Sequence, residues 1–191
     1  EQVHLKSKAG LRAGCTMYLV SVYFDEKSSR VISRYIEKIA DKTGNTFMTD
    51  NHVPPHLTIV SVETKDEAGL TEKMNVLKER LRKGKIQLVS VGALFPYVLY
   101  ITPVLNQYLQ QTAEEIHKQL TELTDIKMSR YYQPMQWLPH LTVGKKLTKE
   151  QMREAFSLMQ EHFVPMEVSV TEIGLAKTNP HKDIVRIELN E

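Results

Sequence analysis

The tetrapeptide Pro139-His140-Leu141-Thr142 repeats one already present at Pro55-His56-Leu57-Thr58. Each copy runs into β-branched residues, Ile59-Val60 after the first and Val143 after the second. Both therefore read as the start of a strand, where residues i and i+2 share a face. His56 and Thr58 should point one way with Leu57 opposite, and His140, Thr142 and Leu141 should repeat the arrangement. An imidazole beside a hydroxyl, offered twice from rigid strands, suits a phosphate held between two proton carriers.

Outward from the motifs, the flanking pattern is also duplicated. Met17 to Phe24 is rich in β-branched and aromatic residues and reads as a buried strand. A helix follows, with start residues in Asp25 to Ser29, an apolar stripe of Val31, Ile32, Tyr35, Ile36 and Ile39, and a stop at Gly44. Pro54 and Pro55 hold the approach to the first motif extended, and that strand is expected to reach about Val62. Leu70, Met74, Leu77 and Leu81 stripe a second helix ended by Gly84, before strands at 86–94 and 97–102 linked tightly through Phe95-Pro96. Leu105 to Leu123 carries a long helical stripe, and Met128 to Trp137 is irregular. After the second motif, Thr148 to His162 reads as a helix with Thr148 and Gln151 as a capping box, then strands at 166–176 and 184–189 close the chain.

The order helix, histidine strand, helix, two strands thus occurs over about 28–102 and again over 104–189, with one extra strand in front. This predicts an α+β fold in two lobes, approximately 17–103 and 104–191, with the histidine strands facing each other across a central cleft. Residues 1–16 lack an apolar signal-peptide core and read as a leader or disordered N-terminus, with Met17 as the native start.

Composition narrows the chemistry. The net charge of +2 is too small for a dedicated duplex binder. A single cysteine, Cys15, excludes an internal disulfide and a cysteine-built metal cage. His52 and His56 have the i, i+4 spacing of a helical zinc motif, but the two prolines forbid that helix. No apolar run approaches the ~20 residues that span a bilayer. The expectation is a cytoplasmic monomer without metal or cofactor.

The pair Pro-His-Leu-Thr-Ile-Val and Trp-Leu-Pro-His-Leu-Thr-Val-Gly closely resembles the two signatures of the two-histidine (2H) phosphoesterases. That superfamily includes the bacterial 2′-5′ RNA ligase-like proteins and the cyclic phosphodiesterases. The resemblance covers Met17 to Glu191 and implies a duplicated bilobal fold with metal-independent phosphodiester chemistry. By position it assigns His56, Thr58, His140 and Thr142 as the catalytic set. Tyr131, Tyr132 and Trp137 either stack a base or pack the lobe junction, and Lys145 is a candidate for the cleft mouth.

Imidazole, with an ordinary pKa of ~6.5, can both take and give a proton near neutrality. The expected activity is hydrolysis of a 2′,3′-cyclic phosphate on an RNA end or nucleotide. Cleavage of 2′-5′ linkages, RNA ligation, and a non-catalytic RNA- or nucleotide-binding module are the alternatives. The symmetry of the motifs leaves open which histidine is acid and which is base.

Overall fold

Asp25 begins the first helix by accepting a hydrogen bond from Ser28 N at 2.8 Å, and Gly44 ends it in the left-handed conformation at φ 70°. The computed structural model describes residues 10–178 and 180–191. Its elements are β1 (Thr16–Phe24), α1 (Glu26–Thr43), α2 (Phe47–Asp50), β2 (Leu57–Thr64), α3 (Glu67–Arg80), β3 (Gly84–Leu94) and β4 (Val98–Pro103). Then come α4 (Gln107–Leu120), β5 (Lys127–Met128), β6 (Tyr132–Gln133), β7 (Gln136–Trp137), β8 (Leu141–Gly144), α5 (Lys149–His162), β9 (Met166–Lys177) and β10 (Lys182–Glu188). Asp66 and Asn106 cap α3 and α4, and Thr148 with Gln151 forms the expected capping box on α5.

One local expectation fails and one element goes unread, each for a physical reason. Helix α3 ends when Leu81 turns extended to bury its side chain, not at Gly84. Gly84 instead opens β3, where a Cβ would lie 2.2 Å from the Tyr108 ring. The single turn α2 has too few residues to show a period, and only Met48 of it is buried.

The main sheet is antiparallel, in the order β5-β2-β1-β9-β3-β4-β8, with β10 added to β9. Exchanging β1 with β4, β2 with β8 and β3 with β9 leaves β2-β1-β9-β3-β4-β8 unchanged. The duplicated unit is therefore strand, helix, histidine strand, helix, strand. It runs β1-α1-β2-α3-β3 and then β4-α4-β8-α5-β9.

This corrects the expected division at residue 103. The front strand β1 belongs to the repeat, and the appended element is β10. The tight β3–β4 hairpin, which reads as the end of one unit, is the junction between two. Nor are the lobes contiguous in sequence. Helix α1 packs on α5 and β8, while α4 packs on α3 and β2. Each histidine strand is thus covered by a helix from the other half, and one apolar core runs through both halves.

Part of the expected leader, residues 1–9, lies outside the described residues. Within the described part, the Arg12 guanidinium binds Glu63 and Asp125, both at 3.0 Å. No helix among the described residues is long and apolar enough to cross a membrane.

Candidate active site

Leu57 and Leu141 are wholly buried, which anchors each motif and turns its flanking His and Thr to the opposite face. Burial of a leucine contributes about 1.5–3 kcal/mol, enough to pin the register of each strand. The prolines of the motifs then acquire a purpose. A residue before proline is held extended, and here those residues are Pro54 and Leu138. Their carbonyls receive the imidazoles: His56 Nδ1–H donates to Pro54 O at 2.7 Å, and His140 Nδ1–H to Leu138 O at 2.9 Å. A carbonyl only accepts, so in each neutral ring the proton sits on Nδ1 and Nε2 carries the lone pair.

The two motifs meet in one cleft, whose lining includes His56, Thr58, His140 and Thr142. Tyr23, next to β2 on β1, supports His56 with ring centroids 6.2 Å apart. Tyr100 on β4 meets His140 edge-on at 5.5 Å. Both tyrosines need a glycine on the neighbouring strand. A Cβ at Gly174 would stand 2.6 Å from Tyr23, and one at Gly92 2.5 Å from the Tyr100 hydroxyl. The halves differ beside the threonines. Ser21 lies opposite Thr58, and its hydroxyl donates to Thr58 Oγ1 at 3.3 Å, whereas Tyr100 lies opposite Thr142.

Burial holds both imidazoles neutral. His56 is pushed down to about 4, first by loss of solvent and then by the neighbouring His181 and His140, against the Pro54 carbonyl and Asp183. His140 is also lowered by burial, opposed by the Leu138 carbonyl. Stability follows from the sign. Between pH ~6.5 and about 4 the unfolded chain binds a proton at His56 that the native state refuses, so stability is lost as pH falls through that window.

The full shift would be worth ~3 kcal/mol, and since the ring is partly open to water the loss should be about 1–2 kcal/mol. His56→Gln should flatten that part of the pH dependence. Urea midpoints at neutral and mildly acidic pH test this; an unchanged slope would mean the imidazole is well solvated.

The structure sorts the candidate substrate contacts. Tyr132 and Lys145 line the cleft, and the Tyr132 ring stands 6.5 Å from His140. Tyr131 and Trp137 do not line it. Tyr131 accepts a hydrogen bond from Arg130, which also stacks on its ring, and Trp137 packs against Tyr132 and the core. The short pairing of β6 with β7 sets Tyr132 opposite Trp137, so the two share a face, and of them Tyr132 lines the cleft. His52 is exposed in a turn at φ 49° and is not among the lining residues.

The lining also includes Phe47, Met48 and Asn51 from around α2, and His181 from the β9–β10 turn. No periodic or motif signal marks these; only the fold brings them in. Among the described residues there is no group of three or more His, Cys, Asp or Glu that could hold a metal ion.

The family sequence model of the 2′-5′ RNA ligase superfamily matches residues 28–182. The chain belongs to that superfamily. The resemblance to 2H phosphoesterases read from the two signatures therefore holds. No curated protein matches the chain by sequence.

Among solved structures, one described as a phosphoesterase aligns at TM-score 0.61 and 15% identity, over 92% of this chain and 99% of that one. E. coli LigT complexed with 3′-AMP aligns at 0.59 and 15%, over 93% and 99%. TT0787 of Thermus thermophilus aligns at 0.59 and 13%, over 91% and 97%. At such identities these superfamily structures establish the antiparallel α+β fold.

Proposed function

We propose that this member of the 2′-5′ RNA ligase superfamily is a phosphodiesterase that hydrolyses the 2′,3′-cyclic phosphate of an RNA end or nucleotide. The observation that carries the reading is the matched pair of Nδ1–H···O=C bonds, which leaves both Nε2 atoms available in one cleft for proton transfer. His56, the imidazole held down to about 4, acts as base and takes the proton of the attacking water. His140, protonated once a phosphate anion raises its pKa, gives its Nε2 proton to the departing ribose oxygen. The phosphorus gains the water oxygen and loses one ribose oxygen, so the ring opens to a monoester.

Thr58 and Thr142 donate to the non-bridging oxygens, where charge builds in the transition state. Because Ser21 already fills an acceptor site on the Thr58 oxygen, the Thr58 proton is directed away from Ser21. Tyr132 and Lys145 flank the second motif, where they would hold the base and the phosphate charge.

E. coli LigT has been crystallised with 3′-AMP, and a 3′-monophosphate is what opening a 2′,3′-cyclic phosphate at the 2′ oxygen leaves. That supports a nucleotide-sized substrate here. Turnover of 2′,3′-cyclic nucleotides should survive EDTA, since the two imidazoles supply both proton transfers. A panel of 2′,3′-cyclic nucleotides and 2′-5′ dinucleotides, with and without chelator, tests it. Preference for the dinucleotides would move the assignment to 2′-5′ linkages. Binding without turnover would make the cleft a nucleotide-binding module, and chelator-sensitive activity would defeat the proton-relay scheme.

A further inference from the structure

The two-fold correspondence between the halves is broken most sharply at His181. It stands in the turn before β10, a strand with no counterpart in the other half. Its ring lines the cleft 6.1 Å from the His56 ring, and its side chain is only 18% exposed. His181 Nε2 is 3.1 Å from Asp183 Oδ1. A carboxylate has only lone pairs to offer, so Nε2–H is the donor and Nδ1 is the remaining ring nitrogen.

Beside His140, the neighbouring rings are the uncharged phenols of Tyr100 and Tyr132. The two sides of the cleft therefore present different chemistry to a symmetric pair of catalytic groups. Nothing in the packing of the core calls for an imidazole on a hairpin turn.

We propose that His181, oriented by Asp183, is a phosphate-binding residue that meets the substrate anion on the His56 side and so fixes its direction in the cleft. This rests on the phosphodiesterase reading of the same site and names a third imidazole within it. An imidazolium there would donate Nδ1–H to a non-bridging oxygen while Nε2–H stays on Asp183. No bond is made or broken by it.

The charged and titratable groups around this corner are His56 just before β2, His140 just before β8, Asp183 and Arg186 from β10, Tyr23 from β1 and Glu172 from β9. Arg186 is committed to Glu172, at 2.9 and 2.8 Å, and its guanidinium lies over Tyr23 at 3.9 Å. The Glu172 carboxylate and the Tyr23 ring thus hold the Arg186 guanidinium, whereas the His181 ring lies 6.1 Å from that of His56 and lines the cleft. A positive His181 also discourages protonation of His56, consistent with its lowered pKa.

The test is titration of inorganic phosphate into the protein at about pH 6, where imidazole is substantially protonated. Calorimetry reads affinity, and NMR follows the ring protons of His56. His181→Ala should weaken phosphate by about 5- to 10-fold, the worth of one charge-assisted hydrogen bond. His181→Arg should retain most of the affinity, and Asp183→Asn should fall between. In His181→Gln without ligand, which removes the charge but keeps much of the cover over His56, the His56 titration should also move upward, an effect that loss of burial alone would not produce.

Unchanged phosphate affinity in His181→Ala, an unmoved His56 titration, or no phosphate binding by the parent protein would each overturn the assignment. Thermal unfolding of the variants confirms that they fold. If phosphate binding depends on His181 but no cyclic nucleotide is turned over, the phosphodiesterase reading fails alone. If turnover is found and the His181 variants bind phosphate like the parent, only this inference fails.

Discussion

Replacing His56 or His140 by alanine should each slow the chemical step by about 10²–10⁴-fold, the usual worth of a positioned acid or base. Both changes remove a side chain that lines the cleft, so the fold should survive. The leucine between each His and Thr, which does anchor the strand, is untouched. The double variant should lose far less than the product of the single losses, because groups that act in one concerted step are strongly non-additive.

The pH profile separates the roles. With His56 as base, the parent enzyme's kcat/KM should fall on the acid side as that ring protonates, and on the alkaline side as His140 loses its proton. His56→Ala should lose the acid limb and His140→Ala the alkaline one. Single-turnover kinetics on folded variants give both readings. A histidine variant near the parent rate would make that residue structural, and limbs lost in the opposite order would exchange acid and base.

The motif pair is legible because its information is local. His, Thr and the alternation between them lie within four residues, and proline fixes the approach geometry by sterics alone. Helices with long apolar stripes and paired caps are legible for the same reason. Asp25, Thr148 and Gln151 each act on backbone groups within three residues.

What stays hidden is what long-range pairing decides. The junction of the repeats at the β3–β4 hairpin emerges only from the sheet order, in which β9 and β3 meet at the pseudo-two-fold. Ser21 becomes a partner of Thr58 across β1 and β2 only through register. His181 reads as a polar-turn histidine until β10 is laid along β9. Tyr131 and Trp137 show the converse: aromatics near a motif in sequence that do not line the cleft, Tyr131 stacked with Arg130 and Trp137 packed on Tyr132 and the core.

Thr58→Val and Thr142→Val should cost up to ~10²–10³-fold in kcat each, the range for deleting one donor to a developing oxyanion. Valine keeps the β-branch and the strand, so the change is confined to the hydroxyl. The effects should differ in character between the two sites. Thr58 is buried, and Ser21 sits behind it as a donor to its oxygen. Thr58→Val therefore also strands the Ser21 hydroxyl, and a buried unpaired polar group costs about 1–3 kcal/mol. Thr142 is only partly buried and faces Tyr100, so Thr142→Val should lower kcat with little loss of stability.

Ser21→Ala separates the two contributions at Thr58. It leaves the Thr58 proton in place but frees the hydroxyl to rotate, so the rate should fall by about tenfold or less, well short of Thr58→Val. Adding Ser21→Ala to Thr58→Val should restore stability without restoring rate. Urea denaturation and single-turnover rates on these four proteins decide the matter. If Thr58→Val turned over like the parent enzyme while Thr142→Val did not, the phosphate would be held from the His140 side alone, and the symmetric placement of the two hydroxyls around it would be wrong.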